Sequence, residues 1–323
     1  MYPLKFKPIY QEKIWGGRNL GRKFVRELPA GSIGESWEIS CHGDDISEVA
    51  NGDYAGISLK ELISRYGDDI LGQALSQASG QAFKAGAGFN SSAVPDAGDF
   101  FPLLVKIIDA RDNLSVQVHP DDEYAAENEA GARGKTELWY ILNAEPGARI
   151  IYGLKDEIGQ EEFMEAVEAS RIQETLNEVK VKTGDYFYMP AGTVHAIGEG
   201  VMLAEIQQNS DLTYRVYDWD RVDADGNSRE LHIEKAFEVI DFTKTFSPGE
   251  TGGKPVLVSN QDFRLSELIS TSFFDVNLLE VYKRYQADTE GKRFYIYLNL
   301  GSQVTLNYAG GSMKIAKGET VLI

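Results

Sequence analysis

The sequence predicts a mainly β fold that consists of two β-barrels with a few peripheral helices. Short apolar runs with glycine turns between them recur along the chain, which is typical of a β-sandwich or barrel. The pattern of residues 184–189 also recurs in residues 318–323 and indicates a weak internal repeat. We therefore predict a first domain over residues 1–240, with N-terminal strands and helical segments, and a second β domain over residues 241–323. No histidine follows His232, so the second domain lacks imidazole ligands for a metal.

The first part of the chain alternates strands with one helix and one long loop. Residues 36–40 have an alternating apolar pattern that predicts a strand. Ser58 and Glu61 form the sequence signature of a capping box, so a helix is expected to begin after Ser58. Residues 79–99 are rich in Ser, Gly and Ala and predict a loop, either a surface insertion or a cover over the site. Residues 101–110 have the pattern of a buried strand.

The remainder is dense in strands. Residues 121–135 look like a loop with a helical turn, and helices are predicted over residues 161–170 and 231–240. The strands predicted in the rest of the first domain are residues 137–142, 148–152, 179–181, 186–189, 201–207 and 213–217. Those predicted in the second domain are residues 263–269, 276–282, 294–300, 303–308, 313–315 and 320–323.

The bulk composition is that of a soluble globular protein. A length of 323 residues suggests about two domains. No apolar run approaches the ~18 residues of a membrane helix, and no secretory signal is visible at the N-terminus. Cys41 is the only cysteine, so an internal disulfide is impossible, and the cytoplasm is the expected location.

The net charge excludes some partners. The chain has 32 Lys and Arg against 50 Asp and Glu, a formal net charge of −18. This balance argues against nucleic acid or an anionic membrane as a partner. An anionic substrate would therefore need basic residues concentrated at its site.

Four residues in two short passages form the best candidate for a metal site. Gln117 and His119 are two apart in an apolar strand pattern, so both side chains leave the same face. His195 ends a Gly-x5-Pro-x-Gly-x2-His spacing that predicts strand, turn and strand, and Glu137 begins the next apolar strand. Two imidazoles, a carboxylate and an amide oxygen would form an N/O site for a divalent metal. The alternative is that both histidines are core residues with satisfied hydrogen bonds.

The remaining histidines are weaker candidates, and the ligand types narrow the choice of metal. Cys41 and His42 are adjacent, so their side chains leave opposite strand faces, and His232 opens a helix after a polar loop. The absence of a thiolate removes a common feature of structural zinc. Three or four N/O ligands leave a position for water or substrate, as in catalytic zinc, and iron(II) or manganese would also fit.

The same passages resemble a known family. Residues 184–195 have the spacing of the second cupin motif, and Gln117-x-His119 stands where cupins usually have His-x-His. The chain resembles the short bacterial form of the type I mannose-6-phosphate isomerases, with Gly-Lys-Thr-Glu-Leu-Trp at 134–139 and Pro-Ala-Gly-Thr-Val-His-Ala at 190–196. Further similar passages are residues 14–17, 34–38, 104–120 and 214–218. The resemblance covers nearly the whole chain.

The resemblance implies a fold, a cofactor and a reaction. The fold would be two cupin-type β-barrels, or jelly rolls. One zinc ion per chain would have four ligands: Gln117, His119, Glu137 and His195. The family's basic active-site positions match three residues: Lys106, Lys135 and Arg215. The reaction would interconvert mannose 6-phosphate and fructose 6-phosphate. Some relatives have a histidine where this chain has Gly134, so a catalytic histidine is excluded there.

The residue types fit that chemistry. Aldose–ketose isomerisation moves a proton between C2 and C1 through a cis-enediol, so it needs a base, a polarising group and a phosphate anchor. A lysine acts as the base only with a lowered pKa, which burial and a nearby metal favour. We expect Lys135 or Lys106 to act in proton transfer and Arg215 to stabilise the enediolate or the phosphate. Alternatively, Lys106 pairs with a core carboxylate. Arg215 has its own alternative, a salt bridge to Asp218 or Asp220.

Other functions remain open from the sequence. A cupin isomerase for another sugar phosphate, such as glucose 6-phosphate, would use the same chemistry with a different pocket. An iron-dependent cupin oxygenase would fit a facial triad, but it fits a fourth Gln ligand and the nearby lysines poorly. A non-enzymatic sugar-binding cupin would have the fold without the lysines and the arginine. The expected partner is a small sugar phosphate, and the sequence does not determine the oligomeric state.

Overall fold

Antiparallel β-sheet dominates the structure, a computed structural model in which residues 1–72, 101–222, 226–244 and 255–323 are described. The predicted loop over residues 79–99 lies outside the described residues. In the first 240 residues the strands are β1 Leu4–Lys5, β2 Ile9–Gly17, β3 Ile33–Ile39, β4 Cys41–His42, β5 Asp45–Ile46, β6 Leu103–Asp109, β7 Val116–Val118, β8 Glu137–Ala144, β9 Arg149–Leu154, β10 Leu176–Lys180, β11 Tyr186–Met189, β12 His195–Ile197, β13 Val201–Gln208 and β14 Tyr214–Tyr217. The later strands are β15 Val256–Ser259, β16 Phe263–Ser270, β17 Asp275–Val281, β18 Ile296–Leu298, β19 Val304–Tyr308, β20 Gly311–Ile315 and β21 Thr320–Leu322.

Helices are few and short in the described residues. They are α1 Asn19–Phe24, α2 Leu59–Leu71, α3 Asp122–Asn128, α4 Gln160–Glu168 and α5 Ile233–Val239. The predicted start of α2 is confirmed, because Ser58 Oγ accepts a hydrogen bond from the backbone N–H of Glu61 at 3.1 Å. Helix α3 begins in the same way, with Asp121 Oδ1 accepting from Tyr124 N at 2.8 Å. Of the described helices, none combines the length and apolar character needed to cross a membrane.

Two antiparallel sheets carry the candidate site between them. One has six strands in the order β11-β8-β13-β6-β3-β2, and the other has five in the order β10-β9-β12-β7-β14. Their inner faces pack in a shared core, in which the rings of Tyr152 on β9 and Phe187 on β11 lie 5.3 Å apart. The prediction of a mainly β fold with a few helices is confirmed.

The C-terminal strands form smaller sheets, one of which includes the start of the chain. Strands β15, β16 and β17 form one sheet, β19 pairs with β20, and β21 lies between β18 and β1. In the last of these sheets Leu4 is opposite Leu322. One apolar cluster also includes residues from both predicted domains, among them Leu4, Leu62, Phe101, Leu268 and Leu322. The division at residue 240 remains a prediction.

Candidate active site

Three of the predicted metal ligands converge at the inner faces of the two sheets. Glu137 opens β8, His195 opens β12, and His119 directly follows β7. One ligand atom from each lies within 4.8 Å of the others, and all three side chains are buried. Glu137 Oε2 is 3.6 Å from His119 Nε2, and Glu137 Oε1 is 3.4 Å from His195 Nε2. The strands therefore bring together residues separated by up to 76 positions, 119 to 195.

Gln117 joins this cluster from the neighbouring strand. It lies directly opposite His195 in the pairing of β7 with β12, so both side chains leave the same face. The Gln117 Nε2 atom is 3.3 Å from His195 Nε2. A half-turn of the amide exchanges its nitrogen and oxygen, so Gln117 can present an oxygen at the same place. The structure thus brings all four predicted ligands to one point.

Both imidazoles are held in the form that binds a metal. Each Nδ1–H donates to a backbone carbonyl, that of Leu212 at 2.7 Å for His119 and that of Thr193 at 2.8 Å for His195. A carbonyl only accepts, so the Nε2 atoms carry the free lone pairs. Burial, assisted by the charge of Lys135, lowers the pKa of His119 well below its usual value and that of His195 to about 4. Both rings are therefore neutral at neutral pH.

The carboxylate of Glu137 fits the same conclusion. Neither of its oxygens receives a well-oriented hydrogen bond from the part of the chain that the structure describes, although the side chain is fully buried. Its one close charge is Lys135 Nζ, 2.7 Å from Oε2. A buried carboxylate with a single close cation is incompletely compensated, and a divalent cation between the imidazoles would also satisfy Oε1. The donor set is thus suited to a metal ion.

A second row of side chains crosses the six-stranded sheet beside the cluster. Trp139, Glu205, Lys106 and Trp37 lie directly opposite one another on β8, β13, β6 and β3. The indole N–H of Trp139 donates to Glu205 Oε2 at 2.9 Å, and Lys106 Nζ lies 4.7 Å from the Trp37 ring centre. Burial, together with the charge of Glu137, raises the pKa of Glu205. Glu205 is not among the sequence candidates, yet it is a lone charge in an apolar strand, the signal that singled out Lys106.

Lys106 is buried among carboxylates. Its Nζ is 3.7 Å from Glu35, 3.8 Å from Glu205 and 3.5 Å from Asp211. Burial alone would lower the pKa of Lys106, but these three carboxylate neighbours outweigh it and raise the pKa. Lys106 therefore has the buried carboxylates of Glu35 and Glu205 as neighbours, and its role in proton transfer stays a prediction.

Lys135 is in direct contact with the cluster of candidate metal ligands. Besides its contact with Glu137, its Nζ is 3.1 Å from His119 Nε2 and 3.8 Å from Glu205 Oε1. Burial lowers the pKa of Lys135, but the charges of Glu137 and Glu205 outweigh it and raise the pKa. The nearby carboxylates thus outweigh burial, the first of the two effects expected to lower a lysine pKa, and the second effect, a metal charge, acts only when an ion is bound.

Arg215 lies next to Gln117, on the side of β7 that faces away from His195. The two residues are directly opposite in the pairing of β14 with β7, so Arg215 continues the row formed by His195 and Gln117. Its Nε donates to Ser115 Oγ at 3.3 Å, and its Nη1 donates to the carbonyl oxygen of Glu230 at 2.7 Å. Asp218, one of the two alternative partners considered for Arg215, forms ion pairs with other arginines.

Comparisons with known proteins identify the family of the chain. Residues 3–146 match the model of the family described as phosphomannose isomerase type I, catalytic domain. Over 239 residues the chain is 46% identical to the mannose-6-phosphate isomerase ManA of Bacillus subtilis, covering 74% of this chain and 68% of that protein. It is 40% identical over 274 residues to the mannose-6-phosphate isomerase of Streptococcus mutans, covering 85% and 77%.

The structural comparison gives the same result. The crystal structure of the mannose 6-phosphate isomerase from Bacillus subtilis superposes with a TM-score of 0.85 at 33% identity, and the match covers 100% of this chain and 93% of that chain. The relatives found by sequence and the relative found by structure therefore have the same enzyme name. The chain belongs to the type I phosphomannose isomerases, a family of enzymes.

Proposed function

We propose that this chain interconverts mannose 6-phosphate and fructose 6-phosphate. The observation that carries the proposal is the buried cluster of His119, Glu137 and His195, in a chain of this family. Lys135 contacts this cluster, and Glu205 lies 3.8 Å from both Lys135 and Lys106. The named relatives act on this substrate according to their names. Arg215 and the charge of a bound metal ion would attract an anionic substrate against the net charge of −18, because carboxylates already pair with Lys106 and Lys135.

The proposed cofactor is one zinc ion held by four side chains: Gln117, His119, Glu137 and His195. Neutral imidazoles, a carboxylate and an amide oxygen are ligands that zinc accepts, and iron(II) or manganese would accept them as well. Bound there, the ion would act as a Lewis acid toward the C1 and C2 oxygens of the sugar. The buried Oε1 of Glu137, which receives no hydrogen bond from the described residues, supports a cation at this point.

The proton transfer would be carried by the side chains around this cluster. A base removes the C2 proton of the open-chain aldose, the O2 proton passes to O1 in the cis-enediol, and a proton returns to C1. Lys135 and Lys106 are the groups that we propose for this transfer, with Arg215 stabilising the enediolate or the phosphate. The carboxylates around the two lysines favour their ammonium forms, and the charge of a bound metal ion would oppose this effect. Glu205, with a raised pKa and 3.8 Å from both ammonium groups, is the nearest buried carboxylate that could take up a proton.

A coupled assay combined with metal analysis tests the proposal. The purified protein is treated with a chelator, its zinc content is measured, and fructose 6-phosphate formation from mannose 6-phosphate is followed before and after zinc is added back. We expect activity to disappear with the metal and to return with it. Full activity in the metal-free sample would refute the zinc site. Faster turnover of glucose 6-phosphate than of mannose 6-phosphate would instead favour the other sugar-phosphate isomerase.

A further inference from the structure

A short segment, residues 229–232, holds Arg215 at three points. The Nη1 of Arg215 donates to the Glu230 carbonyl at 2.7 Å, and its backbone N–H donates to His232 Nδ1 at 3.2 Å. The backbone N–H of His232 donates in return to the Arg215 carbonyl at 2.8 Å. The direction of the guanidinium therefore depends on where this segment, called here the anchor segment, is fixed.

The anchor segment is fixed by an ion pair to a buried carboxylate. Arg229 Nε donates to Asp218 Oδ2 at 2.7 Å, and Arg229 Nη2 contacts Oδ1, so the pair is bidentate. The Asp218 side chain is only 6% exposed, and Arg221 Nη2 contacts its Oδ1 at 2.5 Å. Asp218 directly follows β14, the strand that carries Arg215. The carboxylate thus links the anchor segment to the strand of Arg215 itself.

We propose that Asp218 and Arg229 are positioning residues for Arg215. The inference rests on the role proposed above for Arg215 in the reaction. An arginine side chain has many rotamers, and only some of them keep the guanidinium along the face that carries Ser115 and Gln117. The carbonyl of Glu230 selects one of these rotamers, and the Asp218–Arg229 pair keeps that carbonyl in place.

The charges near Arg215 give Asp218 a second effect. Arg221 and Arg229 both lower the pKa of Arg215 through repulsion, after burial, which contributes most to the shift. Asp218 compensates the charges of these two arginines. Without this carboxylate, three guanidinium groups would share the region and would tend to separate. Displacement of Arg215 from the face of Gln117 is the expected result.

A double-mutant cycle distinguishes a role of Arg229 in positioning Arg215 from a general contribution of Arg229 to the structure. We compare kcat and KM for mannose 6-phosphate in Arg229→Ala, Arg215→Ala and the double variant. If Arg229 acts through Arg215, Arg229→Ala should lower kcat/KM by about tenfold in the wild-type background, with unchanged zinc content, and by less than about twofold in the Arg215→Ala background. Arg229→Lys, which keeps the charge but lacks the fork, should give an intermediate loss. If Arg229→Ala does not fold, Arg229→Lys replaces it in the cycle.

The exposed ion pair between Arg149 and Glu178 provides the control. Arg149→Ala removes an exposed ion pair with Glu178 and should leave kcat/KM unchanged. An equal loss of kcat/KM from Arg229→Ala in both backgrounds would overturn only the positioning role and would show that Arg229 supports the structure in general. Wild-type activity of Arg215→Ala would overturn both the role of Arg215 and the inference built on it.

Discussion

Lys135 lies close enough to Glu137 and His119 for its charge to act on both side chains, and it is therefore the residue at which the proposed metal binding and proton transfer can be separated. We expect Lys135→Ala to keep its zinc, because the side chain is not a ligand in the proposed set. Turnover should fall by about 100-fold or more, which is typical of the loss of a proton-transfer group. Zinc content by elemental analysis and kcat from the coupled assay check the two parts separately.

A surface lysine gives the matched control. Lys7 is 62% exposed and pairs with Glu48, so Lys7→Ala should change neither quantity. Near wild-type kcat in Lys135→Ala would remove Lys135 from proton transfer and leave Lys106 as the lysine to test. Loss of zinc together with activity would show that Lys135 mainly supports metal binding by the candidate ligands.

Glu137 permits a test of metal binding that does not depend on activity. A metal that binds only the folded state stabilises it by about 2.7 kcal/mol when its free concentration is 100 times the dissociation constant. We expect zinc to raise the midpoint of urea unfolding of the metal-free wild type and to leave that of Glu137→Gln almost unchanged. Glu178→Gln, at an exposed carboxylate, should respond like the wild type. Equal responses of all three proteins would contradict the ligand role of Glu137.

Residue patterns in the sequence were sufficient to predict which candidate ligands lie together, but not the electrostatics of the lysines beside them. Period-two spacing and a turn motif place Gln117, His119 and His195 on inward faces, which the structure brings together. The pKa directions of the lysines could not be predicted in the same way. The pKa direction of Lys106 depends on Glu35 and Glu205, which come from strands remote in sequence and meet this lysine only after the sheet has formed. That of Lys135 depends first on Glu137, two residues away, and then on the remote Glu205.

At the scale of elements, the sequence predicts those with a strong local signal. The side-chain cap at Ser58 and the buried strand β6 are examples. Helix α1 is not apparent from the sequence, because Arg18 provides no side-chain cap and Gly21 lies inside the helix. Strand β15 is also missed, because its run of three apolar residues is too short to be assigned from periodicity, and all four of its residues are exposed. The predicted helix over residues 231–240 is shorter in the structure, where His232 hydrogen-bonds to Arg215 instead.

The link between β14 and the anchor segment should show in the pH dependence of stability. Burial raises the pKa of Asp218, but its hydrogen bonds and charge pairs with Arg229 and Arg221 outweigh this and lower it. A carboxyl with a depressed pKa stabilises the fold above its unfolded pKa, about 4, and this stabilisation is lost as the pH falls through the folded pKa. The contribution of Asp218 is therefore complete at pH 7 and decreases below about pH 4.

Asp218→Asn tests this dependence. The variant should lose about 2 kcal/mol of unfolding free energy at pH 7, the scale of hydrogen bonds to charged groups. The difference from the wild type should shrink as the pH falls below about 4. Urea unfolding at pH 7 and at pH 3 measures both values. A difference that stays constant between the two pH values would show that the ionised carboxylate is not what stabilises this region.

On the scale of the whole molecule, the two predicted domains share contacts that sequence patterns do not reveal. Strand β1 pairs with β21, Lys5 Nζ lies 2.5 Å from Glu319, and Thr320 Oγ1 donates to Glu38 at 3.3 Å. Such contacts join residues about 280 to 320 positions apart, and local periodicity contains no information on them. They favour unfolding of both parts in one step.

The distribution of tryptophan makes this cooperativity measurable. All four tryptophans lie before residue 241, so their fluorescence reports on the first predicted domain, whereas far-ultraviolet circular dichroism reports on both. Leu322→Ala removes a side chain that is 2% exposed and packs in the apolar cluster with Leu4 and Phe101, which should cost about 2–5 kcal/mol. If the chain unfolds in one step, this C-terminal substitution lowers the fluorescence midpoint and the dichroism midpoint equally.

Val304→Ala, at a side chain that is 40% exposed in the same C-terminal part, is the control and should shift both midpoints little. An independent second domain would give a different result. The fluorescence midpoint of Leu322→Ala would then match that of the wild type, while the dichroism curve would gain an earlier transition. That outcome would support the boundary at residue 240 as a boundary between folding units, because a core shared across it would transmit the loss of Leu322 to every tryptophan.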